Sequence, residues 1–577
     1  MDCHEEVVQS YSRTGMARAL GPIEPGELEG FGELASGDSG YHYGFLGSPD
    51  GRHYLLTETH EDFPAHALAA QAVMGIGAGV LDRSVAVLHG SSAFFAPIEV
   101  LTTEEGRRLA LAPGEMMQAG GRLEFPITSE CLACHTDDLP PADYPLDLLP
   151  DPQSWSPRGI SCAGCHGTQA ELDAHVTWQE SDLVGEAPPG PVDPLLRLGQ
   201  LQRHERLSVC ARCHLQGDAR LVLEDRVLGP PPVGGDLLDR RALFVAAEPT
   251  DEVGFVSQVE RLVASACFLE SQLDCSTCHD PHQSLHEPVP AARVRAACIG
   301  CHQAPAETSA EPGSGTCSRD PAGDADFAHA NRGATLAEGP VDCVSCHMPL
   351  TGVFDVADIL IHDHHIRRDG RDARPPSQPD ELRFAESDSG DWRRFTWPYQ
   401  PRPGHADELG LWMLAYASGG HAERAAELVD RPPGETAESL AMYHHVRASL
   451  LESLGRPEEA AAGYLAALER DPDLAPSVVN LGLLMVRTGK AEEAERLLTQ
   501  LLERYPRASG ALRNRAIARS ELGNSSGALA DLQAAFSLSP DPVLARAISD
   551  SLRRSGQLER AAEFAQVAVE LDPKALR

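Results

Sequence analysis

The chain has 577 residues, 42 % of them apolar, with 51 glycines, 44 prolines and 15 cysteines; at roughly 150 residues per domain that is about three or four globular units. The net charge is −38, from 86 acidic against 48 basic residues, which argues against a nucleic-acid binder, because phosphate contacts need clustered Lys and Arg. No run of about 18 uncharged apolar residues occurs, which excludes a transmembrane helix.

The chain opens MDCHEEVVQSYSRTGMARAL, without an export signal. Cys3-His4 reads as the tail of a Cys-x-x-Cys-His motif whose first cysteine lies upstream of Met1, so an in-frame extension carrying that cysteine and an export segment is expected. Residues 5–130 contain no cysteine. Within them, YHYGFLGSPDGRHYLLTE at 41–58 places a Ser-Pro-Asp-Gly turn between aromatic and β-branched segments, which predicts a hairpin, and 93–113 predicts a second strand pair.

Residues 131–366 carry six complete Cys-x-x-Cys-His motifs, at 131–135, 162–166, 210–214, 275–279, 298–302 and 343–347. This is the attachment pattern of c-type haem. Two thiols three residues apart can form thioethers to the two vinyl groups of one porphyrin, and the adjacent histidine reaches the iron as an axial ligand. Zinc ribbons and thioredoxin-like redox pairs also use Cys-x-x-Cys, but neither requires the histidine that follows here all six times. The covalent anchors are therefore Cys131 and Cys134, Cys162 and Cys165, Cys210 and Cys213, Cys275 and Cys278, Cys298 and Cys301, Cys343 and Cys346, with Cys3 in the incomplete site. The proximal ligands are His135, His166, His214, His279, His302 and His347, with His4 in the incomplete site. The expected cofactor content is six haem c groups, or seven with the upstream cysteine. First-to-first cysteine spacings of 31, 48, 65, 23 and 45 residues are too short for each segment to bury a core of its own, so the porphyrins are expected to form the core, wrapped by short helices and loops. Cys267 and Cys317 have no assigned role.

Residues 367–404 are rich in Pro, Arg, Asp and Ser and read as a connector. From about 405 a repeat appears: Gly455, Gly489 and Gly523 are 34 residues apart, Gly556 follows after 33, and Ala460, Ala494, Ala528 and Ala561 keep the same step. This period, with small residues where helices cross and a proline at each end, resembles the tetratricopeptide repeat. Four repeats are expected at 441–474, 475–508, 509–542 and 543–575, preceded by a degenerate helical pair at 405–440. The expected domains are 1–130, 131–366, 367–404 and 405–577. The expected fold class is mostly α: a multihaem domain with few short strands, then an α-solenoid.

Several longer words extend the haem motifs: SRTGMARAL at 12–20, IGAGVLDRS at 76–84, CHGTQAELDAHV at 165–176, RLVASACFLESQLDCSTCHDPH at 261–282 and CVSCHMPLTGVFDVADILIHDHHIRR at 343–368. In these words the chain resembles multihaem cytochromes of the cytochrome c-554 class, especially versions fused to a tetratricopeptide tail. It departs from them at Asp358, where a histidine is common, and in the incomplete first motif. The resemblance implies that His282, His175, His364 and His329 are distal ligands; His282 lies too close to His279 to serve the same iron and should cap a neighbouring one. Among the 24 histidines, His42, His53, His60, His66, His89 and His204 rank behind these four. Two histidines saturate an iron and leave it to move electrons, whereas an open face can bind a substrate.

The sequence thus implies a periplasmic or otherwise extracytoplasmic electron-transfer protein whose repeats dock redox partner proteins. The alternative is an oxidoreductase acting on a small nitrogen or sulfur oxyanion at one five-coordinate haem. The absence of a Cys-x-x-Cys-Lys motif argues against a lysine-ligated catalytic haem.

Overall fold

The computed structural model describes residues 5–36, 40–60, 68–89, 92–103, 106–112, 127, 129–138, 158–183, 198–223, 233–247, 251–284, 289–302, 343–356, 359–367, 375, 377, 390–398 and 408–571. After a short helix α1 (Glu5–Tyr11), the chain enters eight strands: β1 (Leu20–Gly21), β2 (Leu34–Ala35), β3 (Tyr41–Gly47), β4 (Tyr54–His60), β5 (Leu68–Ile76), β6 (Asp82–His89), β7 (Ser92–Thr103) and β8 (Gly106–Leu111). Strands β2 to β8 form an antiparallel meander in sequence order, and β1 pairs with β5. The sheet curls until it is nearly closed into a barrel. At the seam, Arg107 on β8 donates to the Glu27 carbonyl at 2.9 Å and lies over the Phe31 ring.

This corrects the expectation of a mostly helical protein with few short strands. The hairpin at 41–58 is present as β3 and β4. The strands between the two expected pairs went unread because β5, LAAQAVMGI, is rich in alanine and lacks a strong β-former pattern. Barrel geometry explains its composition. Tyr54, Ala72, Val87 and Phe94 sit side by side across four strands and point into one core with Tyr41, Tyr43 and Leu56. Small residues opposite large aromatic ones fill a tapering interior without overpacking. An irregularity between Ala72 and Met74 then turns Met74, Ile76 and their neighbour Ala86 to the outer face. There they pack on Leu20, Ile127 and Leu132, the last of which lies inside the first haem motif. A second outer patch, Leu101 and Ala110, meets Val253, Val353, Val356 and Ile359 around the last motif.

The motif-bearing segments are short helices: α2 (Ser129–Leu132), α3 (Ala163–His166), α4 (Gln169–Leu183), α5 (Arg203–His214), α6 (Gln258–Val263), α7 (Ala266–Leu269), α8 (Cys275–Cys278), α9 (Val289–His302) and α10 (Cys343–His347). A three-stranded antiparallel sheet, β9 (Ala219–Val222), β10 (Arg241–Ala246) and β13 (Trp392–Arg394), takes its third strand from the stretch read as a connector. A hairpin of β11 (Leu350–Gly352) and β12 (Leu360–His362) follows the last motif.

The C-terminal region is helical. Helices α11 (Leu409–Ser418), α12 (Ala422–Glu427) and α13 (Glu435–Ser439) precede four antiparallel pairs: α14 (Ala441–Ser453) with α15 (Pro457–Arg470), α16 (Ala475–Arg487) with α17 (Ala491–Arg504), α18 (Ser509–Glu521) with α19 (Ser525–Leu538), and α20 (Pro542–Arg554) with α21 (Leu558–Leu571). The periodic glycines all adopt φ between 73° and 80° at the turn inside each pair, a conformation that costs an L-residue about 1–2 kcal/mol. The periodic alanines are buried where the helices cross. Leu411, Trp412 and Met413 of α11 pack with Phe244 and Trp392, which fastens the solenoid to the three-stranded sheet.

Candidate haem-binding site

Local devices hold the 131, 162, 210 and 275 motifs in place. Helix α5 begins with a reciprocal capping box between Gln202 and Glu205 and ends on His214. Asp274 caps α8 by accepting from the Ser276 amide at 3.0 Å, and Arg206 of α5 donates to the same carboxylate at 2.8 Å, which locks the 210–214 and 275–279 motifs together. Asp137, two residues after His135, accepts from the amide and hydroxyl of Ser161, directly before Cys162.

Five of the imidazoles share one orientation. Nδ1 lies 3.2 Å from the Ala19 carbonyl in His135, 3.2 Å from Gln258 Oε1 in His214 and 2.6 Å from the Arg367 carbonyl in His347. In His364 it lies 2.9 Å from the His362 carbonyl, and in His282 3.2 Å from Asp280 Oδ1. These oxygens accept only, so Nδ1 carries the proton and Nε2 keeps its lone pair for a metal. Burial favours the neutral ring. It lowers His135 and His214, and it takes His364 down to about 4, with nearby His279 adding to the fall. His279 is lowered by burial and then by His214 and Arg293. Neutral imidazole is the ligating form.

Two histidine pairs face one another. The rings of His166 and His282 have centroids 5.9 Å apart and planes 8° from parallel. Those of His279 and His364 are 6.1 Å apart at 24°. A metal–imidazole bond of about 2 Å on each side, plus the half-width of each ring, requires about 6 Å between centroids. Both pairs have a centroid separation that matches this spacing. The ring beside His282 is that of His166, from another motif.

The thiols run between motifs. Cys213 lies against Cys134, Cys210 against Cys275, and Cys298 against Cys343. The 131, 210 and 275 motifs are thus contiguous, and the 298 and 343 motifs are neighbours. Burial pushes the Cys165 thiol up to about 11. His175 is buried on α4. Cys131, Cys162, Cys278 and Cys301 lie on or beside their motif helices. Cys3, His4, His329 and Cys317 lie outside the described residues, as do the side chains of His302 and Cys346.

Sequence reasoning missed the groups around the ligands. Tyr11 donates to the Ile160 carbonyl at 2.8 Å and sets its ring against the edge of His282. Arg261 and Asp363 form a buried two-point ion pair beside His364. The only signal was their position inside the longer words, at the start of RLVASACF and within HDHHIR.

A family model of the doubled CXXCH motif matches residues 269–307, and tetratricopeptide repeat models match 443–474 and 477–508. No curated protein matches the chain. Among solved structures it is similar to MamA (41-end) from Desulfovibrio magneticus RS-1, at 16 % identity over 29 % of this chain and 96 % of that one, TM-score 0.26. It is similar to the Pseudomonas aeruginosa pilF protein at 20 % identity over 29 % of this chain and 76 % of that one, TM-score 0.26. YrrB, titled a TPR protein with an unusual peptide-binding site, matches at 17 % identity over 29 % of this chain and 87 % of that one, TM-score 0.25. Among the described residues no helix is long and apolar enough to cross a membrane. The chain joins a doubled-CXXCH region, whose motif indicates covalent haem, to a tetratricopeptide domain, which indicates interaction with other proteins.

Proposed function

We propose that this protein is an extracytoplasmic multihaem c-type cytochrome that relays electrons through closely spaced, mostly bis-histidine haems, and that its repeats dock a redox partner protein. The observation that carries the reading is the pair of facing imidazoles, His166 with His282 and His279 with His364, at the separation one iron requires. Haem c, when bound, supplies reversible one-electron chemistry. The chain's own groups hold the ligands. The carbonyls of Ala19, Arg367 and His362 and the side chain of Gln258 each take an Nδ1 proton and so fix the ring and its tautomer. Bis-histidine ligation leaves no open coordination position, which suits a relay better than an enzyme. Because each of these irons draws its two histidines from different motif segments, the ligands themselves tie neighbouring sites together, and this supports a relay of short steps.

Protein matured in an export-competent bacterial host should carry six covalent haem increments by intact mass, one for each complete motif, and a low-spin ferric spectrum. An unmodified polypeptide mass would remove the haem reading. A high-spin ferric haem that binds cyanide or nitrite rapidly would replace the relay with the oxyanion-acting alternative.

A further inference from the structure

We propose that Arg261 and Asp363 are positioning residues that orient axial ligands at two haem sites through a single stretch of chain, residues 362–367; this rests on the bis-histidine reading above. Arg261 Nε donates to Asp363 Oδ1 at 2.9 Å and Nη2 to Oδ2 at 2.7 Å, and the two side chains are only 7 % and 9 % exposed. A two-point guanidinium–carboxylate pair fixes direction as well as distance. Asp363 immediately precedes His364, so the pair holds the backbone from which the ligand projects.

The far side of the ligand is held from the same segment. Ser265, four residues after Arg261, accepts from the Ile366 amide at 2.9 Å and donates to the His364 carbonyl at 3.3 Å. Asp363 Oδ1 also accepts from the His365 amide at 2.9 Å. Three residues past the ligand, the Arg367 carbonyl takes the Nδ1 proton of His347 at 2.6 Å, and the Arg367 amide donates to the His347 carbonyl at 3.2 Å. The stretch therefore touches the 275–279 site through His364 and the 343–347 site through His347. A buried ion pair is a poor source of net stability, because desolvation offsets attraction. An apolar pair would fill the same space but would leave the stretch free to rotate about its backbone.

The test uses the full chain with its covalent haems, compared with Asp363→Asn, Arg261→Lys and His364→Ala by intact mass, electron paramagnetic resonance and redox titration. Near-parallel and strongly twisted imidazole planes give low-spin haems of different magnetic anisotropy, so the 24° angle of His279 and His364 is open to measurement. Asp363→Asn and Arg261→Lys should keep the full haem mass, shift the signal of one low-spin haem or convert it to high spin, and move the midpoint potential of a second. His364→Ala should make one haem high-spin. Parent-like signals and potentials in both pair variants, alongside a high-spin His364→Ala, overturn the positioning role and leave the ligation reading standing. A fully low-spin His364→Ala overturns the ligation reading and the positioning role with it. Should the pair variants not accumulate, Ser265→Ala is measured in their place: the same shift supports the role and a parent-like spectrum overturns it.

Discussion

Cutting the chain at residue 404, the end of the connector in sequence, should unfold part of the haem region, whereas cutting it at 440 should not. Helix α11 covers the three-stranded sheet: Trp412 meets Phe244 edge-to-face at 4.7 Å, and Tyr416 stacks on Trp392 at 5.6 Å. Removing α11 re-exposes Phe244, Trp392 and Leu221, all buried in the intact chain. At about 1.5–3 kcal/mol for each large side chain, the loss is roughly 5–9 kcal/mol, comparable with the whole stability of a domain at about 5–15 kcal/mol. The damage reaches the cofactor region because β9 follows α5 directly: the Asp218 amide donates to the Phe244 carbonyl at 2.7 Å, only four residues past His214. Urea unfolding followed by visible haem absorbance should give a clearly lower midpoint for the chain ending at 404 than for the one ending at 440, which keeps α11 to α13. In the full chain, Trp412→Ala should cost about 3–5 kcal/mol. Equal midpoints for the two truncations would refute the reasoning.

Replacing His282 with Ala should leave one haem high-spin, since His282 faces His166; a spectrum that stays fully low-spin, with no substitute ligand found, contradicts the pairing. Asp274 caps α8. Burial alone would raise its carboxyl, but hydrogen bonds from Ser276 and Arg206 outweigh it and hold the folded value below the usual range. Its stabilisation is therefore full above the unfolded value of about 3.9 and fades as pH falls through the folded one. Asp274→Ala should cost about 0.5–2 kcal/mol at neutral pH and flatten the acid limb of the stability curve, so an acid limb parallel to the parent's speaks against it. In the solenoid, Asp531 is buried between Arg515 and Arg519. Asp531→Ala should cost the repeats about 3–5 kcal/mol, seen as an earlier helical melt by circular dichroism with the visible haem spectrum unchanged.

The amino-acid sequence by itself determined the features whose chemistry is local. A thioether pair and its histidine lie within five consecutive residues, so each haem motif was legible without a fold. The 34-residue step of Gly455, Gly489 and Gly523 was legible because every solenoid turn repeats the same crossing and the same left-handed backbone. Only the tertiary structure decided the rest. The barrel escaped the sequence because β5 owes its strand state to the tyrosines it packs against, and an alanine-rich segment shows no preference until they are in place. The connector became a strand because β10 offered Trp392–Arg394 an open edge, and α11 offered Trp392 an apolar cover. The pairing of His166 with His282 and of His279 with His364 joins residues 116 and 85 positions apart. A histidine's candidacy can be read from its neighbours in the chain; the histidine it faces depends on where the rest of the chain carries it.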